Sequence, residues 1–265
     1  FKALGGAFAV YKIASEKKNI TVSTATAGNH GRSVAWGAQR LGLKCKIFIS
    51  ENVSESRAAA MRDLGADVIR VKGNYDNSLK ECIEQSNKNR WEIVQDVSWE
   101  GYKEVPKMIM AGYTIMIKEI FDEIDSNSIT HVFLQAGVGG MAAAMIAGFA
   151  KLSKNIPKFI VIEPENADCV FKSIQNKKPT SINIKKETVM GGMSCGDVSS
   201  IAWEILKNST NYCMTIPDNA ISTAVALLAE SRFSDEKIIS GECAVPGLIA
   251  LIGSFNNKKY LDKLE

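Results

Sequence analysis

The sequence has 265 residues, of which 46% are hydrophobic, and a formal net charge of +3. A chain of this size can bury one large core or two smaller ones, which argues against disorder as its main state. Its basic residues are dispersed and its apolar runs are short, so we expect neither a nucleic-acid surface nor a membrane span. No signal-peptide pattern is present, and the default expectation is a cytoplasmic protein.

The six cysteines form no CxxC motif, and neither histidine has a cysteine or histidine neighbour at metal-binding spacing. This usage favours reduced thiols and no metal site. Cys169 and Cys195 each lie beside a polar or glycine-rich loop and are the pair that could form a disulfide. We expect two unpaired thiols there rather than a bridge.

Helical and strand patterns alternate along the chain. Helices are predicted over residues 3–16, 29–41, 55–64, 76–88, 105–124 and 142–151, and strands over 20–26, 45–50, 68–72, 92–95, 131–135 and 159–162. Residues 167–175, 199–208, 212–216, 219–229 and 246–253 continue this rhythm. The alternation predicts an α/β protein with parallel sheets and right-handed crossovers.

One predicted strand-to-helix turn, residues 24–32, reads Thr-Ala-Thr-Ala-Gly-Asn-His-Gly-Arg. Gly28 and Gly31 allow positive φ or close approach of a ligand to the backbone. Asn29 and His30 place polar groups at a helix N-terminus, where anions bind. Two ordinary explanations stay open, since a plain strand-to-helix connection has the same features and Asn29 could simply cap the helix.

A second glycine-rich turn follows the predicted strand at 131–135 and reads Gly-Val-Gly-Gly-Met. Backbone N–H groups and the positive end of the next helix would converge there on a phosphate group. A dinucleotide site would look similar, with Glu163 closing the next strand at about the distance expected for an acid that binds ribose. The pattern alone leaves both alternatives open.

The Phe-Lys-Ala-Leu-Gly-Gly-Ala start, the Gly-Asn-His-Gly turn and the glycine loop occur in the order found in fold-type II pyridoxal phosphate enzymes. The chain resembles that group, which includes threonine dehydratase and tryptophan synthase β. It resembles the diaminopropionate ammonia-lyase branch in particular, through further motifs along nearly the whole chain. These are Val34-Ala35-Trp36, Asn74-Tyr75-Asp76, Val94-Gln95-Asp96, Trp99-Glu100-Gly101-Tyr102 and Ser240-Gly241-Glu242.

The resemblance implies two doubly wound α/β lobes with mostly parallel sheets, and a homodimer. The smaller lobe would contain residues 23–105, and the larger lobe would contain residues 1–22 and 106–265. Members of the branch carry a segment before the lysine and continue past the last residue here into a loop that contacts the pyridine nitrogen. We therefore expect the larger lobe to be incomplete at both ends.

The resemblance also implies pyridoxal 5'-phosphate as the cofactor. Lys2 would form the Schiff base and remove the Cα proton. Asn29 would hydrogen-bond to the phenolic oxygen of the cofactor, and His30 would support the site through a hydrogen bond rather than act directly. The phosphate would be held by the loop residues Gly137, Val138, Gly139, Gly140 and Met141.

Asp96 is the second catalytic residue that the resemblance implies. Its carboxylate could bind the second ammonium of a diamino acid through a charge-assisted hydrogen bond, although a helix-capping acid is the alternative. Tyr102 and Glu242 would also belong to the substrate site. For Glu242 the alternative is an ordinary acid in the first turn of a helix.

The expected reaction is α,β-elimination of 2,3-diaminopropionate to pyruvate and ammonia, with an amino acid as the small-molecule substrate. Ala27 stands where the branch has an aspartate before the Gly-Asn-His-Gly turn. Loss of that base implies selectivity for the L-isomer, and it brings the turn closer to threonine and serine dehydratases, the first alternative. The second alternative is a non-catalytic remnant that binds pyridoxal phosphate or a dinucleotide.

Overall fold

The computed structural model describes residues 1–232 and 236–264. The chain separates into two compact units, Phe1–Glu119 and Ile120–Glu265, which we call the N-terminal unit and the C-terminal unit. The lobe boundaries predicted from the sequence stay a prediction. Residues 233–235 and 265 of the predicted larger lobe lie outside the described residues.

The N-terminal unit contains a parallel sheet with the strand order β3-β2-β1-β4. Its core strand β1 is buried along almost its whole length, as expected for a strand covered on both faces. The elements in chain order are α1 (Lys2–Glu16), β1 (Thr21–Ala25), α2 (Asn29–Arg40), β2 (Lys44–Ser50), α3 (Glu55–Arg62), β3 (Asp67–Val71), α4 (Tyr75–Asn89), β4 (Glu92–Ile93) and α5 (Glu104–Tyr113). The next helix, α6 (Ile115–Glu123), contains the boundary between the units.

The C-terminal unit contains a second parallel sheet, with the strand order β5-β6-β7. Its central strand β6 is buried from Phe159 to Pro164. The elements are β5 (His131–Gln135), α7 (Gly140–Leu152), β6 (Lys158–Pro164), α8 (Cys169–Asn176), α9 (Ser200–Ser209), β7 (Tyr212–Ile216), α10 (Ile221–Ala229), α11 (Pro246–Phe255) and α12 (Lys258–Leu264). Among the described residues, no helix has the length and apolarity that crossing a bilayer would require.

The helix predicted over residues 105–124 is wrong in one respect, because the structure has two helices, α5 and α6, that meet at Thr114. The Thr114 N–H donates to Ala111 O at 3.1 Å, and its hydroxyl donates to the same oxygen at 2.7 Å. Both bonds reach back three residues instead of four, and a threonine hydroxyl that binds nearby carbonyls competes with the helical ladder. The hydrophobic pattern of the sequence carries no sign of this interruption.

Helix α1 packs closely against both α2 and α5 because glycines stand at the crossings. A Cβ added at Gly5 would lie 2.6 Å from the carbonyl oxygen of Ile109 in α5 and would also clash with the Tyr113 ring. A Cβ at Gly37 of α2 would lie 2.9 Å from the Cα of Ala7. These crossings fix the position of α1, whose first residue is Lys2.

In the C-terminal unit, the buried carboxylate of Glu163 fastens the start of α8. Its two oxygens accept hydrogen bonds from the N–H groups of Val170, at 2.9 Å, and Phe171, at 2.6 Å. The side chain is almost completely buried. Burial raises the pKa of Glu163 to about 8, although the two backbone hydrogen bonds act in the opposite direction.

We expect Gly5→Ala to lower the urea midpoint of unfolding, since overpacking against a backbone oxygen costs about 1–3 kcal/mol. The matched control is Gly253→Ala in α11, where an added Cβ meets nothing within 4 Å. That variant gains helix propensity and should unfold at an equal or higher urea concentration. Equal midpoints for the two variants would contradict the close crossing of α1 and α5.

We also expect Glu163 to contribute less to the stability of the protein as the pH rises from 4.5 to 8. The pKa of Glu163 is 4.5 in its ordinary state and about 8 in the folded protein. The folded state therefore binds the additional proton in this range, and the stabilisation present below pH 4.5 is lost above pH 8. The urea midpoint of Glu163→Gln should rise relative to that of the parent protein as the pH rises across this range, whereas the exposed neighbour variant Glu165→Gln should keep a constant difference from the parent protein. An unchanged pH dependence in Glu163→Gln would contradict the assignment.

Candidate active site

The first helix places the amine of Lys2 against the carboxylate of Asp96. Lys2 is the first residue of α1, and its Nζ forms a close ion pair with Oδ2 of Asp96. The Lys2 side chain is 29% exposed and that of Asp96 13% exposed, so the pair is largely sheltered from solvent. The Phe1 ring lies 5.4 Å from Nζ. The structure thus brings together the two residues predicted to be catalytic.

Asp96 lies in the loop after β4 and is not a helix cap, since the next helix, α5, begins at Glu104 with Lys103 as its N-cap residue. Burial on its own would raise the pKa of Asp96, but the charge of the Lys2 ammonium and the hydrogen bond that it donates hold that pKa well below its usual range. The carboxylate therefore stays charged at neutral pH. A sheltered charge of this kind needs a cationic partner.

His30 supports this pair from the first turn of α2. Its Nε2 lies 2.7 Å from the carbonyl oxygen of Val94, and because a carbonyl can only accept, Nε2 carries the hydrogen. Its Nδ1 lies 3.8 Å from Oδ2 of Asp96. Burial lowers the pKa of His30, which favours the neutral imidazole. His30 thus meets the expectation of a supporting hydrogen bond.

The turn before α2 is organised by Thr26, which sequence reasoning missed. The hydroxyl oxygen of Thr26 accepts hydrogen bonds from the N–H groups of Gly28, at 3.0 Å, and Gly31, at 3.2 Å. The N-cap residue of α2 is Gly28, and no side chain caps the helix at that position. Asn29 therefore does not act as the cap, and its side chain lies exposed at the first residue of α2. A threonine two residues before a glycine was the available signal.

Ser33, one turn further along α2, was also missed. Its hydroxyl accepts a hydrogen bond from Ala7 N–H and donates one to Ala3 O, both at 3.0 Å. Residues three and seven are four apart, so these are the two groups that an α-helix joins to each other. The side chain of Ser33 thus links α2 to the turn of α1 that follows Lys2.

Tyr102 was predicted to contact substrate, but in the structure its hydroxyl forms hydrogen bonds with the main chain. The hydroxyl donates to Ile93 O and accepts from Gln95 N–H, each at 2.8 Å. The ring stacks on Trp99 with centroids 4.0 Å apart. The hydroxyl of Tyr102 therefore holds the chain next to Asp96 and is not free for a ligand.

In the C-terminal unit, the glycine loop runs from the end of β5 to the start of α7. Its carbonyl groups point into the protein, because Gly137 O accepts from the Cys169 thiol at 3.6 Å and Val138 O accepts from Ser199 N–H at 2.9 Å. Gly139 is the N-cap residue of α7, with φ of +88° and no side-chain cap. A Cβ there would lie 2.7 Å from Leu206 Cδ1.

This loop has the donor set that a phosphate group needs. The first turn of α7 contains Gly140 and Met141, and the N–H groups at a helix start have no acceptor within the helix. A glycine cap offers no side-chain acceptor to replace one, and the helix dipole favours a negative charge at this end. The predicted phosphate residues are therefore brought together in one loop that fits the group.

Two further predictions concern Glu242 and the cysteine pair Cys169 and Cys195 in the C-terminal unit. Glu242 is exposed in the short 3₁₀ turn Glu242–Ala244 before α11. Cys169 and Cys195 are not joined by a disulfide in the structure. In the part of the chain that the structure describes, no group of three or more His, Cys, Asp and Glu side chains could hold a metal ion.

The dinucleotide alternative requires Glu163 to bind ribose. In the structure its carboxylate is buried and accepts hydrogen bonds from the start of α8 instead. The structure therefore gives this acid a structural role in the C-terminal unit.

Comparison with known proteins supports the same chemistry. Diaminopropionate ammonia-lyase from Escherichia coli (strain K12) is 33% identical over 94% of this chain and 68% of that protein. The enzyme of the same name from Salmonella typhimurium is 33% identical over 99% of this chain and 72% of that protein. The crystal structure of the Escherichia coli enzyme in complex with an aminoacrylate-PLP azomethine reaction intermediate superposes with a TM-score of 0.90 and 33% identity. It covers 100% of this chain and 72% of that chain.

The sequence pattern of the family described as "Pyridoxal-phosphate dependent enzyme" matches residues 1–262. The α/β architecture of fold type II and pyridoxal phosphate as cofactor, both expected from the sequence, are confirmed by this match and by the similar structure. The dinucleotide alternative is thereby set aside. The chain belongs to the family of pyridoxal-phosphate dependent enzymes.

Proposed function

We propose that this chain catalyses the α,β-elimination of 2,3-diaminopropionate to pyruvate and ammonia. The observation that carries the proposal is the sheltered ion pair of Lys2 and Asp96, in a chain 33% identical to a diaminopropionate ammonia-lyase. Elimination breaks the Cα–H and Cβ–N bonds, and the β-amine leaves as ammonia. Hydrolysis of the remaining product gives pyruvate and a second ammonia.

In this proposal each predicted residue would bind one part of the cofactor. Pyridoxal phosphate, when bound, withdraws electrons from the Cα of an amino acid and so makes its proton acidic. The amine of Lys2 would bond to the cofactor aldehyde, and Asn29 would hydrogen-bond to the phenolic oxygen. The N–H groups at the start of α7, with Gly137, Val138 and Gly139 before them, would hold the phosphate.

Lys2 is the proposed acceptor of the Cα proton. An ammonium cannot accept a proton, so the amine must be neutral when it acts. Asp96 stabilises the charged form of Lys2 in the resting protein, and it loses that cationic partner whenever the amine is neutral or bonded to the cofactor. The carboxylate of Asp96 then needs another cation in the same sheltered place.

The side-chain ammonium of 2,3-diaminopropionate meets this need, which is our argument for the substrate. A charge-assisted hydrogen bond from that ammonium to Asp96 would replace the one from Lys2. Serine and threonine carry a neutral hydroxyl at the same position and would leave Asp96 unpaired. The dehydratase alternative, which rests on the Ala-Gly-Asn-His turn, is therefore the second candidate.

Ala27 is the basis of a proposed selectivity for the L-isomer. The side chain at this position is a methyl group, next to Gly28 at the entrance to α2. By resemblance, an aspartate here would be the base for the D-isomer, whereas Lys2 would serve the L-isomer. A homodimer, a cytoplasmic location and a smaller lobe of residues 23–105 complete the proposal on the same resemblance.

We expect protein reconstituted with pyridoxal phosphate to show a visible absorbance band that requires Lys2. Lys2→Ala should abolish both this band and pyruvate formation from L-diaminopropionate. The control Lys18→Ala, which removes an exposed lysine past the end of α1, should keep both. The proposal fails if the band survives in Lys2→Ala, or if the parent protein forms pyruvate from L-serine but not from the diamine.

Asp96→Asn should lower kcat/KM for L-diaminopropionate by about 30-fold or more, because losing one member of a sheltered charge pair costs about 2–5 kcal/mol. Any activity on L-serine should fall much less, since that substrate brings no second ammonium. A parallel loss for both substrates would contradict ammonium recognition by Asp96.

Ala27→Asp should add activity on D-diaminopropionate while activity on the L-isomer is retained. The parent protein should act on the L-isomer alone, as measured by pyruvate formation from each pure isomer. Comparable rates of the parent protein on both isomers would show that the residue at position 27 does not set selectivity.

A further inference from the structure

Strand β4 pairs with its neighbour β1 over only a short length. Only two of its residues pair with β1, Glu92 with Val22 and Ile93 with Ser23. One further backbone bond follows, from Val94 N–H to Ser23 O at 2.8 Å. The sequence predicted a strand through residue 95, so the structure ends the ladder before the apolar pattern does.

The side chain of Gln95 continues the ladder where the backbone stops. Its Oε1 accepts a hydrogen bond from Ala25 N–H at 3.0 Å, and its Nε2 donates to Ala25 O at 3.0 Å. A primary amide offers the same N–H and C=O groups as a peptide bond. The amide of Gln95 therefore satisfies both backbone groups of Ala25 that the next residues of a longer β4 would otherwise bond.

The remaining bonding capacity of this amide is also used. Oε1 accepts a second hydrogen bond from the Thr24 hydroxyl at 2.8 Å, and Nε2 donates a second one to the Tyr75 hydroxyl at 2.7 Å. Gln95 is fully buried, and its own N–H is held by Tyr102. Both the side chain and the main chain of this residue are thus fixed.

The residues on either side of Gln95 make the contacts of the candidate active site. Val94 O accepts the hydrogen bond from His30, and the Asp96 carboxylate pairs with Lys2. We propose that Gln95 is a positioning residue, whose amide replaces one rung of the sheet, lets the backbone turn out of the ladder after Val94 and so holds Asp96 against the Lys2 amine. This inference rests on the proposed roles of Lys2 and Asp96.

The proposed role requires a glutamine at position 95, and similar residues would not fulfil it. Glutamate has the same length, but its carboxylate only accepts, so the hydrogen bond to Ala25 O would be lost and a charge would be buried. Asparagine is one methylene shorter and cannot reach Ala25 from the same backbone position. An apolar side chain would remove all four hydrogen bonds that the Gln95 amide makes.

The test uses two neighbouring positions on β1. Thr24→Val keeps the shape of the side chain but removes one hydrogen bond to the Gln95 amide. Ser23→Ala is the matched control, because its buried hydroxyl bonds Ser86 at 2.7 Å and does not touch that amide. Both variants lose one buried hydroxyl, so a general loss of stability should lower their urea midpoints to a similar extent.

Two readouts then separate positioning from stability. The first is the pH at which Lys2 is half-modified in the cofactor-free protein, measured by competitive labelling with acetic anhydride and peptide mass spectrometry. The second is kcat for L-diaminopropionate in the reconstituted protein. When Asp96 is displaced, the negative charge that stabilises the Lys2 ammonium moves away from it, so half-modification should shift to lower pH and kcat should fall.

We expect Thr24→Val to lower the pH of half-modification and to lower kcat by about threefold to tenfold, the effect of losing one modest hydrogen bond. Gln95→Glu should cause a larger change in both, and Ser23→Ala should change neither. The inference is overturned if Thr24→Val leaves both readouts at the parent values, or if Ser23→Ala shifts them equally. Thr24→Val keeps the test decisive even where Gln95→Glu does not fold.

Asp96→Asn in the same two assays separates this inference from the function on which it rests. A shift in Asp96→Asn without one in Thr24→Val overturns the role of Gln95 and leaves that of Asp96 intact. If Asp96→Asn also leaves both readouts unchanged, the proposed role of Asp96 fails and that of Gln95 fails with it.

Discussion

The ion pair of Lys2 and Asp96 joins two residues that are 94 positions apart, and the chemistry attributed to this chain depends on it. A largely sheltered charge pair adds little net stability, but it leaves an expensive unpaired charge when one member is removed. This asymmetry suits an enzyme whose lysine amine must give up its positive charge in order to bond the cofactor or accept a proton. The Asp96 carboxylate becomes available to a second cation only when the Lys2 amine is neutral or bonded to the cofactor.

Within the N-terminal unit, helix α2 contacts both chain segments that carry this pair. His30, Ser33 and Gly37 lie three and four residues apart and so share one face of the helix. His30 bonds the carbonyl before Gln95, Ser33 bonds the turn of α1 after Lys2, and Gly37 lets α1 approach. Small displacements of α2 would therefore alter the positions of the amine and the carboxylate together.

Local sequence motifs allowed most of the fold and part of the site to be predicted. Lys2 and the glycine loop before α7 were predicted because each lies in a contiguous motif that resembles those of the family, and their roles stay predictions. The role of Gln95 was not found, because it depends on Ala25, which is 70 positions away. The break at Thr114 and the engaged hydroxyl of Tyr102 were missed for a similar reason, since each depends on which backbone group a hydroxyl reaches in the folded chain.

The most direct test of the account is to identify the lysine that bonds the cofactor. Protein reconstituted with pyridoxal phosphate would be reduced with borohydride, digested and mapped by mass spectrometry. The account predicts a pyridoxyl group on the peptide that contains Lys2 and on no other peptide at comparable yield. A modification on a different lysine, or one spread evenly over exposed lysines, would contradict the assignment of Lys2 and the function built on its pairing with Asp96.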